Sequence, residues 1–266
     1  MTEAPESAGP RAPHAPGTPC WVSLMTRSAD AAEEFYGALF GWEFRPGPLG
    51  RPVRASLGGL EVAVIGQLPP DAGLSAAWTP YLASDDVDLT AERVRLSGGT
   101  VAVGPLDAGD NGRVAIAADP SGAVFGFCTA WTHPAPPRGG GPGLPAWNEL
   151  RTASAVRVTT FYARVFDYEA EPPSAPDHIT LRSGGRPVVA LRGMGQALPR
   201  ALGAHWLPHF EVTDTDATVQ QVLESGGRLL EPAHDTPYGR VATVADPQGA
   251  RFGVVRKIGT VPRPRG

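Results

Sequence analysis

Long apolar runs are missing from this 266-residue chain. No stretch approaches the roughly 20 consecutive apolar residues that a membrane-spanning helix requires, so no membrane partner is expected. The N-terminal MTEAPESAGPRAPHAPGTP lacks the basic block and apolar block of a secretory signal, and the expected location is the cytoplasm. Cysteine is scarce. Cys20 and Cys128 lie far apart with no CxxC pattern, which leaves out a zinc knuckle or a dithiol redox motif and predicts two free buried thiols. There is no excess of basic residues either: 23 Lys and Arg stand against 27 Asp and Glu. A formal net charge of -4 and a pI near 5.9 supply no positive field for nucleic acid, and none is expected as a partner.

What the chain does contain is enough apolar material, 42% against 19% charged residues, to bury the cores of two ordinary globular domains. Its 33 Gly and 29 Pro are unevenly spread. They crowd residues 4–19, the stretch THPAPPRGGGPGLP from Thr132, and the terminal VPRPRG. Such segments bury too little apolar surface to offset the entropy of ordering them, and they read as tail, linker and tail. The GGG at 139–141 lacks the Lys-Ser that would follow it in a phosphate-binding loop.

Across the linker the sequence repeats itself at an offset of 126 to 128 residues. CWVSLMTRSADAAEEFYGALFGWEF from Cys20 returns as AWNELRTASAVRVTTFYARVFDYEA from Ala146. LSGGTVAVGP is answered by LESGGRLLEP, and GRVAIAADPSGAVFGF by GRVATVADPQGARFGV. Within each copy a short alternating strand precedes a helix. In the first, residues 29–40 place Ala32, Phe35, Tyr36 and Leu39 on one face, with Ser28 or Asp30 as cap and Gly41 as terminator. A hairpin around Gly58-Gly59 follows. A second strand, a second helix and two strands joined by an Asp-Pro-x-Gly turn complete the copy. Trp78 and Trp206 read as core residues facing the helices.

This order of elements, with FYGALFGW and ADPSGAVFGF, resembles the vicinal-oxygen-chelate superfamily of glyoxalases, bleomycin-resistance proteins and extradiol dioxygenases. The PCWVSL and PAWNEL openings look more narrowly like tandem actinobacterial glyoxalase-like proteins often labelled hydroxylase. The resemblance implies an α+β fold in which each domain pairs two βαβββ units into a half-open β-cup with helices outside. The expected organisation is a disordered tail over 1–16, a first domain over 17–131, a linker over 132–145, a second domain over 146–258 and a tail over 259–266. The superfamily's enzymes hold a divalent metal on the cup floor through His, Gln or Glu. Here the positions implied for those ligands are Trp21, Thr79 and Gly126, and Trp147, Leu207 and Gly253, none of which suits a hard cation. A slip of one residue would exchange the strand faces, but it too supplies no His, Glu or Gln. No metal-ligating residue is therefore assigned and no cofactor is expected, with a divalent metal left as the open alternative.

Strand parity places His205, Leu207, His209 and Glu211 on the cup side, with Glu149 sharing the parity of Trp147. His209 and Glu211 are the candidate catalytic pair, because a carboxylate can orient and raise an imidazole near neutral pH. A satisfied His–Glu pair lining a surface is the competing interpretation. Trp21, Tyr81, Trp147, Glu149 and His205 are the candidate ligand-binding residues, and the first cup is expected to be apolar and aromatic, suited to stacking. Arg113 and Arg240 read as surface residues paired to Asp110 and Asp235 more readily than as anion clamps. His178 and His234 are placed in or near loops. The expected function is a metal-free small-molecule-binding protein, protective or in secondary metabolism, acting as a monomer or homodimer. The alternative is a lyase, isomerase, cyclase or oxygenase on a small oxygen-rich or aromatic substrate, metal-free through His209 and Glu211 or metal-dependent.

Overall fold

The structure, a computed structural model, describes residues 14–47, 52–71, 73–109, 112–129, 140–173 and 176–258. The first unit comprises β1 (Pro19–Thr26), α1 (Ala29–Phe40), β2 (Glu43–Pro46), β3 (Val53–Leu57) and β4 (Leu60–Gln67). The second comprises β5 (Ala77–Ser84), α2 (Val87–Leu96), β6 (Thr100–Asp107), β7 (Arg113–Ala118) and β8 (Val124–Thr129). The repeat supplies β9 (Pro145–Thr152), α3 (Ala155–Phe166), β10 (Glu169–Ala170), β11 (His178–Ser183) and β12 (Arg186–Gly193). It closes with β13 (His205–Glu211), α4 (Thr215–Glu224), β14 (Arg228–Thr236), β15 (Gly239–Ala245) and β16 (Arg251–Lys257). No helix among the described residues is long and apolar enough to cross a membrane.

Local chemistry fixes the helix ends. Ser28 caps α1 by accepting from Ala31 N at 3.3 Å, and Gly41 ends it in the left-handed conformation at φ 71°. The repeat solves the same problem differently. Ser154 makes no side-chain cap, and Asp177 Oδ1 instead accepts from Ala155 N at 3.0 Å and Val156 N at 3.3 Å. Asp86 and Asp214 cap α2 and α4 through Leu89 N and Ala217 N.

Each copy folds into one eight-stranded mixed sheet, ordered β2-β3-β4-β1-β5-β8-β7-β6 in the first and β10-β11-β12-β9-β13-β16-β15-β14 in the second. The seam joining the two units of each copy is the antiparallel pair β1–β5 or β9–β13. Helices lie outside each cup but inside the molecule. Val22, Leu24, Phe35 and Tyr36 of the first unit share one core with Phe210, Val222 and Phe252 of the fourth. Leu82, Val94 and Phe125 of the second unit share another with Phe161 and Tyr162 of the third and Trp206 of the fourth. Each helical layer thus packs on its own sheet and also against the other domain.

Two reciprocal hydrogen bonds mark this exchange. Tyr36 donates to Asp246 at 3.0 Å and Tyr162 donates to Asp119 at 2.9 Å. Both aspartates begin the Asp-Pro-x-Gly turns, whose backbone they also hold, Asp246 Oδ1 accepting from Gln248 N and Ala250 N at 2.9 Å each. The FY pair and the turn motif, read from the sequence as local signals, therefore meet across the domain boundary.

Segments expected to be tail and linker contribute contacts. The Pro16 carbonyl accepts from Ser183 Oγ at 2.9 Å. Gly143 N donates to Glu211 O at 2.8 Å, Glu211 N to Leu144 O at 2.9 Å, and β9 already begins at Pro145. His178 and His234 stand on β11 and β14 rather than in loops.

Candidate functional site

The second cup is built on the β9–β13 seam, where pairing sets His205 opposite Arg151, Leu207 opposite Glu149 and His209 opposite Trp147. At its centre lies Arg151, a buried cation whose side chain is only 5% exposed. Its Nε donates to Glu149 Oε1 at 2.7 Å, and its two terminal nitrogens grip Glu231 at 2.7 and 2.9 Å. Thr243 Oγ1 accepts from the same guanidinium at 3.0 Å and donates to Glu231 Oε2 at 3.0 Å. The bidentate grip matches guanidinium planarity to carboxylate geometry. Burial alone would raise the Glu149 carboxyl, but the positive charges of His209, when it is protonated, and of Arg151 outweigh it and lower it below the ordinary value. Glu231 is lowered likewise, Arg151 overcoming the effect of burial.

Both imidazoles of the cup are held neutral by desolvation, which lowers each below the ordinary histidine value. His209 Nδ1 lies 3.1 Å from Leu207 O, and His205 Nδ1 lies 2.9 Å from Gly203 O. A carbonyl only accepts, so Nδ1 carries the proton in each ring and Nε2 carries the lone pair. His205 Nε2 is buried with no hydrogen-bond partner among the described residues.

The expected His209–Glu211 couple is not formed. Glu211 turns to the cup's outer end, where Lys257 Nζ binds it at 2.7 Å and Gly141 N donates to it at 3.1 Å. The carboxylate acting on His209 is instead Glu149. Glu211 keeps the strand face of His209, since β13 pairs with β16 without a shift from His209 to Glu211, but it lies one step further along the strand, beside the Lys257 end of β16.

The first cup is walled by aromatic and apolar side chains, with the Arg54–Glu61 pair at 3.0 Å on the neighbouring strands. Tyr81 faces Trp21 across the β1–β5 seam, and the two pack with Val64, Val114, Ala83, Cys20 and Cys128. The Tyr81 ring lies so close over Gly126 that a Cβ there would overlap it. The His209 ring covers Gly253 in the same way. Trp21 and Trp147, expected in separate cups, also line a common cleft of about 240 Å³ between the domains, together with Pro19, Cys20, Pro145 and Asn148. They meet because β1 and β9 enter their sheets side by side, a relation that parity within either copy cannot supply.

These side chains do not fit a resident cation. Of the implied ligand positions, Trp147 and Leu207 offer no lone pair to a hard ion, and Gly253 has no side chain and is covered by His209. Glu149 and Glu231 already neutralise a guanidinium that would repel a metal beside it. Among the described residues no group of three or more His, Cys, Asp or Glu could hold an ion. Arg113 and Arg240 stay at the surface, Arg113 on Asp88 and Asp107 and Arg240 on Asp216 and Asp235. Asp110, the partner expected for Arg113, lies outside the described residues.

Sequence reasoning missed Arg151, Glu231 and Thr243. Arg151 was within reach, since it shares the parity of Trp147 and Glu149 on one strand. Glu231 was not, because its pairing opposite Thr243 falls between two register shifts of β14 against β15.

Comparison with known proteins gives concordant results. Residues 148–255 match the family model described as a glyoxalase-like domain. CFP32 of Mycobacterium tuberculosis, named as a candidate glyoxylase, is 35% identical over 256 residues, covering 92% of this chain and 97% of that protein. The anthracycline biosynthesis protein DnrV of Streptomyces peucetius is 34% identical over 265 residues, covering 91% of this chain and 94% of its own. Among solved structures, the Mn(II)-bound glyoxalase of Novosphingobium aromaticivorans shares the fold with a TM-score of 0.63 at 14% identity, over 92% of this chain and 84% of that one.

Proposed function

The chain belongs to the glyoxalase-like family of the vicinal-oxygen-chelate superfamily, and from that premise we propose that it is a metal-free small-molecule-binding protein of secondary metabolism. The observation that carries this reading is Arg151. A guanidinium locked between Glu149 and Glu231 stands at the heart of the second cup, where the family's metalloenzymes would place a cation. Arg192 Nη1, 3.9 Å from Glu231 Oε2, brings a second cation to the two carboxylates, so that these charges compensate one another. His205 and His209 present imidazole lone pairs, and the Trp147 indole supplies an apolar edge. That chemistry suits a flat, oxygen-rich aromatic whose phenolic O–H donates to Nε2. The relative DnrV, an anthracycline biosynthesis protein, supports a polycyclic ligand of this kind.

The test combines two measurements on purified, tag-free protein. Metal analysis should return well under one divalent ion per chain, and about one tightly held ion per chain would overturn the metal-free reading. Titration with 1,8-dihydroxyanthraquinone should quench tryptophan fluorescence saturably. Gly253→Ala, whose new methyl displaces the His209 ring, should weaken binding about tenfold, as expected for one lost hydrogen bond. Unchanged affinity in Gly253→Ala and in His209→Ala would remove the second cup from binding.

A second reading, acid–base turnover of such a ligand by the same cup, is favoured by the buried, neutral His209 with Glu149 as its charged neighbour. Under it the base is His209 Nε2, and Glu149 takes the role expected of Glu211. Isomerisation, cyclisation or lyase chemistry would all begin with the proton that Nε2 can accept. Turnover lost in His209→Ala but retained in Glu211→Gln supports this assignment. Loss in Glu211→Gln alone would restore the sequence-based pair.

A further inference from the structure

Cys20 and Cys128 are neighbours in space: their Sγ atoms lie 3.6 Å apart, both buried and both reduced. They come from β1 and β8, which are not adjacent, because β5 runs between them. The contact exists because the β1–β5 register breaks between Pro19 and Trp21. That break places Cys20 with Trp21 in the apolar cluster that also holds Cys128. Cys20 Sγ donates to the Tyr81 carbonyl of β5 at 3.4 Å, so the pair bridges over that strand. Cys20 also lines the cleft between the domains. That opening gives a small molecule a path to a thiol otherwise sealed by packing.

We propose that Cys20 and Cys128 form a reversibly oxidisable dithiol that reacts with peroxides entering through the interdomain cleft. A thiolate of the pair attacks one peroxide oxygen and the O–O bond breaks. The leaving oxygen takes a proton to become water, or an alcohol from an organic peroxide, and the attacking sulfur becomes a sulfenic acid. The second sulfur then attacks the first, forming the S–S bond and releasing the hydroxyl as water. In sum two thiols lose two electrons and two protons, and one peroxide is reduced. The sulfurs need to close by about 1.5 Å to reach disulfide distance. The shared S–H···S contact favours a singly ionised pair, the bond to Cys20 lowering the Cys128 thiol while the bond to Cys128 and burial raise that of Cys20. The product ties β1 to β8 across β5 beneath Tyr81, fixing the wall of the first cup.

The test exposes native, tag-free protein to hydrogen peroxide, then blocks remaining thiols with N-ethylmaleimide in denaturant. The expected result is a fall from two free thiols per chain to none, a Cys20–Cys128 cross-linked peptide within one chain, and full recovery after dithiothreitol. Two thiols still alkylated, separate sulfinic or sulfonic acids, or cross-links only between chains would each overturn the proposal. The Cys128→Ser variant isolates the route of entry. Cys20 should then accumulate as a sulfenic acid trapped by dimedone, and a folded variant in which it is untouched by peroxide would refute access through the cleft.

Discussion

The Tyr36 hydroxyl donates a 3.0 Å hydrogen bond to Asp246, joining the first helix of one domain to the last turn of the other. Burial first, and then the adjacent carboxylate, raise the Tyr36 hydroxyl well above the ordinary phenol value, so it stays a proton donor throughout the physiological range. The repeat makes the same bond from Tyr162 to Asp119. Trp78 Nε1 donates to Tyr36 at 3.0 Å, and Trp206 stands edge-on to Tyr162 at the matching place, ring centroids 5.6 Å apart against 5.3 Å in the first copy.

That symmetry predicts matched mutants. Tyr36→Phe leaves a buried carboxylate oxygen and a buried indole N–H without their partner, at a cost of about 2–3 kcal/mol. Tyr162→Phe removes the same hydroxyl from Asp119 and should cost about as much. Urea unfolding of the two variants checks this, and a loss confined to one of them would show that the two bonds are not equivalent.

Removing Arg151 should be far worse than removing its whole network. Arg151→Met leaves Glu149 and Glu231 charged and facing each other, a loss of about 3–5 kcal/mol. Adding Glu149→Gln and Glu231→Gln to the same chain should recover most of it, because no uncompensated charge remains. A triple variant no more stable than the single one would mean that Arg151 acts by packing alone.

Stability should fall with acid in two stages. His205 and His209 have lowered folded pKa values, with desolvation the leading cause in each, and the cup also holds Glu149, Arg151 and Glu231. Below the ordinary imidazole value of 6.5 the unfolded chain therefore binds more protons than the native one, and stability is lost as pH drops through that value. Glu149 and Glu231 are also lowered, so their contribution is complete above the ordinary value of 4.5 and disappears as pH falls below it. Melting temperatures measured from about pH 8 to pH 4 should show both limbs. His209→Gln should shrink only the upper one, and an unaltered upper limb would assign it to other groups.

The architecture was legible because its signals are local and doubled. The cap at Ser28, the left-handed Gly41 and the Asp-Pro-x-Gly turns each act within a few residues, and the turn motif occurs in both copies. Parity along β13 placed His205, Leu207 and His209 on one face. Parity along β9 put Glu149 there as well. Parity also held at Glu211, but it could not show that Lys257 takes that carboxylate while Glu149 comes to His209.

The sequence by itself determined the repeat and the alternation of strands and helices within each copy. These depend on residue type and on short-range backbone geometry, which the chain states directly. Only the tertiary structure decided that the helices of one domain pack against the sheet of the other, and that Arg151 meets Glu231. It alone brought the two cysteines together across an intervening strand. Such contacts join segments as much as 210 residues apart, and they arise because apolar faces left open by each unit must find one another, a requirement that no local pattern specifies.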